Sequence, residues 1–238
     1  MATAVAAHYS GDQRFYSRMA IGISLFIIFG FMQFAVRGFV DYRAAPVWVH
    51  LHGMLFVSWL TLFVTQNVLA ERGAIALHRR LGWLTVGVAA TIVPLTIFTG
   101  IMAVNLHRQP PFFSAPFFLA LTSVGAVFFG SMVVAAIVLR RQTEWHRRLM
   151  LSATVLILEP AFGRTLPMPL LGGEQGEAIA CVLQVSILGI AMLHDRSHRG
   201  AVHPALWWGA GAVITGHVLV SLLSRFPPMM ALTEQIAA

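Results

Sequence analysis

The chain has 238 residues, of which 58% are hydrophobic and only 11% charged, with a mean hydropathy of +0.76. A soluble domain carries charge on about a quarter of its residues, so a soluble globular class is excluded and a polytopic membrane protein is expected. The net charge of +7 contains no lysine, which rules out a lysine Schiff base; the arginines are spread over short connections, which argues against nucleic acid; and Cys181 is the lone cysteine, which rules out an internal disulfide or a Cys-X-X-Cys pair.

Residues 1–18 are mixed and polar and predict a cytoplasmic N-terminal segment. The run "MAIGISLFIIFGFMQFAV" that follows is longer than a signal h-region and predicts a retained first helix. Further apolar runs, each long enough to cross ~30 Å of hydrocarbon, give spans at 19–40, 46–70, 81–105, 115–139, 149–171, 177–193 and 205–224. The fifth is the most polar, because "ILEPAFGRTLPMPLL" carries Glu159, Arg164 and three prolines. A six-span bundle with a re-entrant fifth segment is the alternative. The predicted fold is all-α, a polytopic membrane helical bundle of seven transmembrane helices over 19–224, with a short external tail at 225–238.

Alternating the spans gathers most arginines on one side, including Arg72, Arg79, Arg80, Arg140, Arg141, Arg147 and Arg148. Arg37, Arg43, Arg108 and Arg225 fall on the other. The positive-inside rule then places the N-terminus in the cytoplasm and the C-terminus outside, as expected of a bacterial inner-membrane protein. Trp83, Trp145, Trp207 and Trp208 fall at inner boundaries and Trp48 at an outer one, where an aromatic belt is expected.

Two stretches read HRRL, at 78–81 and 146–149, each opening a span that runs outward. Arginines at a helix N-terminus oppose the helix dipole and need another reason to be there. Anionic headgroups are one reason. The other is that His78 and His146 face each other and hold haem or a metal, with Arg79 and Arg147 near its carboxylates.

A second polar group falls in the outer half. At 1.5 Å per residue, His52 in "VWVHLHGMLF", Glu159 and His217 in "AVITGHVLV" each lie roughly 10 Å below the outer surface. His50 and His52 are about 200° apart on a helix, so only one can face inward. His52 is the inward choice, and His50 sits at the headgroup boundary or serves a second partner. His52, His217 and His50 are the candidate metal ligands. Glu159 and Arg164 are the candidate catalytic residues, with a self-satisfying buried ion pair as the alternative.

"LHG" at 51–53 followed by "LHRRLG" at 77–82 resembles the paired helix-entry motifs of the transmembrane b-type cytochromes that pass electrons from ascorbate to ferric iron. The resemblance implies histidine-ligated haem b near each face, with His78 and His146 as the inner pair and His52 with His217 as the outer one. The stretch from His146 to Pro167 also resembles a group of uncharacterised bacterial multi-span membrane proteins with His-Arg helix starts, which implies no activity. Three functions remain open from the residues themselves. One is a membrane electron-transfer protein working with quinone or another membrane redox subunit. The second is a non-catalytic subunit or transporter. The third is a metal-dependent membrane enzyme, in which His52, His217 and Glu159 hold zinc or iron.

Overall fold

Without water to bond to, the backbone of an apolar run must satisfy itself, and a helix does so within one segment. The computed structural model describes residues 2–238, with side chains from residue 12 onward, and contains no strand among them. Its helices are α1 (Ala2–Val36), α2 (Val47–Glu71), α3 (Ile75–Asn105), α4 (Ala115–Val138), α5 (Thr143–Leu156), α6 (Glu159–Thr165), α7 (Met168–Arg199), α8 (Pro204–Ser224) and α9 (Pro227–Ala237). Six of them are long and apolar enough to cross a membrane: α1 from Asp12 onward, α2, α3, α4, α7 and α8. The chain is an integral-membrane type of helical bundle.

The seven continuous spans expected from the sequence are therefore six, and the fifth is replaced by two short helices of 14 and 7 residues. The break has a covalent cause. Pro160 has no N–H to offer the Leu156 carbonyl, and the helix opens at Ile157 and Leu158. The freed carbonyl of Leu156 is instead met by Gln184 Nε2 of α7 at 3.3 Å, and the same Nε2 lies 3.0 Å from the Val155 carbonyl, which also accepts the Leu158 N–H. Together α5 and α6 run the length of the bundle. Arg147, near the start of α5, meets Asp12 near the described start of α1, while the Arg164 carbonyl at the end of α6 accepts from Gln33 Nε2 near the end of α1 at 2.6 Å.

Two other boundaries differ from the sequence reading. α1 begins well before residue 19, so the polar N-terminal segment continues the first helix. The tail after residue 225 forms α9, which packs on α3 and α4 and is tied there by Asn105 Nδ2 donating to the Ile236 carbonyl at 2.7 Å. A kink at Gly172, with φ of +73°, also bends the start of α7.

α5 is the pivot, packed between α4 and α8 and also touching α1 and α7. Leu151, Ala153, Val155 and Leu158 are buried in a core shared with Trp59, Phe129, Leu188, Leu206 and Val213. On the outside, Leu25, Phe29, Met32, Val134, Leu193, Trp207 and Trp208 stand exposed. An apolar surface of that extent is stable against lipid rather than water.

Candidate functional site

The end of the bundle that holds the starts of α1, α3 and α5 and the ends of α2, α4 and α7 concentrates arginine. Arg148 is wholly buried, and its guanidinium forks onto Asp195: Nε donates to Oδ2 at 2.9 Å and Nη2 to Oδ1. Its Nη1 donates to Glu144 Oε2 at 2.7 Å. Asp195 also accepts the His203 N–H at 3.0 Å, and the Tyr16 hydroxyl lies 3.5 Å from its Oδ1. Arg147 donates to Asp12, to Gln13 Oε1 at 2.7 Å and to both oxygens of Glu144. Asp12 in turn meets His194 Nε2 at 2.9 Å. Tyr16 lies beneath both guanidinium groups, 4.4 Å from Arg147 and 5.4 Å from Arg148, where its ring face attracts cations. His203, in the turn before α8, is held below the usual histidine range by burial, then by Arg148 and Arg199. It caps α8 by accepting the Ala205 N–H on Nδ1 at 3.2 Å.

Beside this network the two HRRL stretches occupy equivalent places. His78, at the start of α3, has its Nδ1 3.3 Å from the Gln66 carbonyl of α2. His146, at the start of α5, has its Nδ1 2.8 Å from the Ala136 carbonyl of α4. A carbonyl can only accept, so each Nδ1 carries the proton and each Nε2 is left with its lone pair. Among the described residues neither Nε2 has a hydrogen-bond partner. The two ring centroids are 6.2 Å apart with the planes at 88°. Nitrogen ligands stand about 2 Å from a metal, so two imidazoles on opposite sides of one ion have centroids roughly 6 Å apart. Both rings line a cavity of about 670 Å³ between α2, α3, α4 and α5, with Arg79, Arg140, Arg141 and Arg147 on its wall and no Asp or Glu. The residues present fit a bis-imidazole haem: two free Nε2 atoms, apolar walls from Phe63, Val86, Val133 and Met150, and cations for carboxylates.

Comparison with known protein families, curated proteins and solved structures finds no match. The reading of the site therefore rests on its own geometry.

The opposite half of the bundle also brings polar groups together, in a different set from the one the sequence suggested. His217 Nε2 lies 2.7 Å from Gln184 Oε1, and its Nδ1 lies 2.7 Å from Glu177 Oε1 by an oblique approach. Glu159 on α6 is in electrostatic reach of Glu177 and Arg164, and Arg164 is in reach of His52. Yet Glu159 and Arg164 form no ion pair. Arg164 Nη1 donates to the Pro160 carbonyl at 2.8 Å, and the guanidinium lies 4.0 Å from the Phe31 centroid. His52 is half-buried against Phe56 with its Nδ1 unpartnered, while His50 is exposed. Among the described residues no group of three or more His, Cys, Asp or Glu side chains is placed to hold a metal ion, so His52, His217 and Glu159 do not assemble as a ligand set.

The sequence reading missed Glu177, Gln184, Asp195 and Asp12. Glu177 and Gln184 carried a signal, since an acid and an amide about two turns apart on one face in "EAIACVLQVSIL" are costly in an apolar helix unless partnered. Asp12 and Asp195 look like ordinary polar residues at span ends, and only packing reveals their partners.

Proposed function

We propose that this chain is a membrane electron-transfer protein of the b-type cytochrome kind, with His78 and His146 holding one haem at the arginine-rich end. The observation that carries this reading is the pair of imidazoles 6.2 Å apart, each with Nδ1 fixed on a backbone carbonyl of the preceding helix. A bound haem supplies one-electron redox chemistry. The chain supplies the rest. Gln66 and Ala136 set the tautomers, so both Nε2 atoms carry an unshared lone pair before any ligand arrives. Asp12, Gln13 and Glu144 hold Arg147 in one orientation on the cavity wall, and Arg79 adds charge at the rim.

The same reading takes α5 and α6 together as a seventh crossing, because they run alongside α1 from one end to the other. The arginine-rich end then faces the cytoplasm, with the N-terminus inside and the C-terminus outside, in a bacterial inner membrane. A quinone or a second membrane redox subunit would exchange electrons with the haem.

Purified protein in mild detergent should show a Soret band that shifts on dithionite reduction and a sharp α-band. A colourless protein that takes up no added haem overturns the proposal and leaves the subunit or transporter reading.

A further inference from the structure

Gln184 is almost fully buried and its amide is oriented by the two carbonyls it meets. The kink at Pro160 leaves the Leu156 carbonyl needing a donor, and Gln184 Nε2 serves it at 3.3 Å while also donating at 3.0 Å to the Val155 carbonyl, which accepts the Leu158 N–H as well. Gln184 must therefore turn its Oε1, an acceptor only, toward His217 Nε2 at 2.7 Å. His217 Nε2 is the donor in that bond. A neutral His217 then presents a bare lone pair at Nδ1, which lies 2.7 Å from Glu177 Oε1. Two unprotonated acceptors repel at that distance, and with Glu177 only 7% and His217 only 13% exposed, little water can relieve them. The contact needs a proton.

We propose that Glu177 and His217 bind one exchangeable proton between them, forming a proton-loading site in the half of the bundle opposite the arginine-rich end. The proton resides either on Glu177, facing a neutral imidazole, or on Nδ1 of an imidazolium facing the carboxylate. Its release leaves the carboxylate and the lone pair opposed. Glu174, one turn before Glu177, and Arg225, beyond His217, form an exposed ion pair at the same end and mark the aqueous approach. The surrounding charges are Glu159 and Arg164 from α6, with His52 of α2 behind them, and Cys181 on α7 itself. α5 contributes its two carbonyls here, its own charged groups lying at the far end. α4 has no titratable side chain, and Glu234 of α9 is exposed. The site is independent of the haem reading, because none of its groups lines the cavity between His78 and His146.

The test is made on the full chain in lipid nanodiscs, with or without haem. Nitrogen-15 NMR of histidine-labelled protein, assigned by His217→Gln, should find Nε2 of His217 protonated. Infrared difference spectra in H₂O and D₂O should find one carboxylic-acid band, or else the His217 imidazolium, at neutral pH. On raising the pH one proton should leave; this signal should vanish in Glu177→Gln and persist in Glu159→Gln. Gln184→Leu should free His217 to change tautomer. A neutral wild-type His217 protonated at Nδ1 with Nε2 bare overturns the proposal, and so does a neutral ring beside an ionised Glu177. A signal that follows Glu159 instead also overturns it. The wild-type spectra decide these points even where a variant fails to fold.

Discussion

Arg148 and Asp195 at the arginine-rich end are fully buried and fully partnered, whereas Glu177 in the opposite half is nearly as buried and has one oblique contact. The two regions use the same chemical groups for different ends. A buried guanidinium forked onto a carboxylate, with a hydroxyl, a second acid and a backbone N–H filling the remaining positions, has one low-energy arrangement and locks α1, α5 and α7 together. A carboxylate left short of donors keeps room for a further partner, and that is what a site for a mobile charge requires. Full partnership marks a lock, and incomplete partnership marks a place for a ligand. The same contrast separates the histidines. His217 has Nε2 bonded to Gln184 and Nδ1 only obliquely placed against Glu177, while His78 and His146 each keep Nε2 free of any hydrogen-bond partner among the described residues.

The sharpest way to break this comparison is to delete the free imidazoles. His78→Ala and His146→Ala should each abolish the reduced-minus-oxidised haem spectrum, while His52→Ala and His217→Ala should leave it. Equal loss from all four would place the cofactor elsewhere. Next in size is the lock. Asp195→Ala strands a buried guanidinium and should cost about 3–5 kcal/mol of stability, read by thermal unfolding in detergent. Glu177→Gln should cost about 1 kcal/mol or less, since it removes a charge and keeps the shape. If it destabilises as much as Asp195→Ala, Glu177 is a lock too and the contrast fails. Packing around the lock comes third. α8 meets α5 at Gly209, where an added Cβ would stand 2.7 Å from Ser152 Cβ, one turn beyond Arg148. Gly209→Val should cost about 1–3 kcal/mol by overpacking. The smallest effect belongs to Glu174 and Arg225, which are 67% and 62% exposed. A double-mutant cycle there should give under about 1 kcal/mol.

Hydropathy alone located the six long helices to within a few residues at most ends, because a lipid-facing surface demands long apolar runs. It overran at the fifth segment. There "LEP" placed a proline where the helix needs a donor, and a break inside an otherwise apolar stretch leaves only a weak trace in hydropathy. The arginine asymmetry and the repeated HRRL were also plain, since topology signals sit in short loops that sequence displays directly.

The amino-acid sequence by itself determined that this is an all-helical membrane protein, that its cations gather at one end, and that His78 and His146 open two helices in the same way. Only the tertiary structure decided that these two rings lie 6.2 Å apart, edge to face, that Glu159 and Arg164 do not pair, and that His217 turns to Glu177 and Gln184. Depth along a helix follows from counting at 1.5 Å per residue, but the direction a side chain faces is set by how neighbouring helices rotate as they pack, and that rotation is a property of the whole bundle.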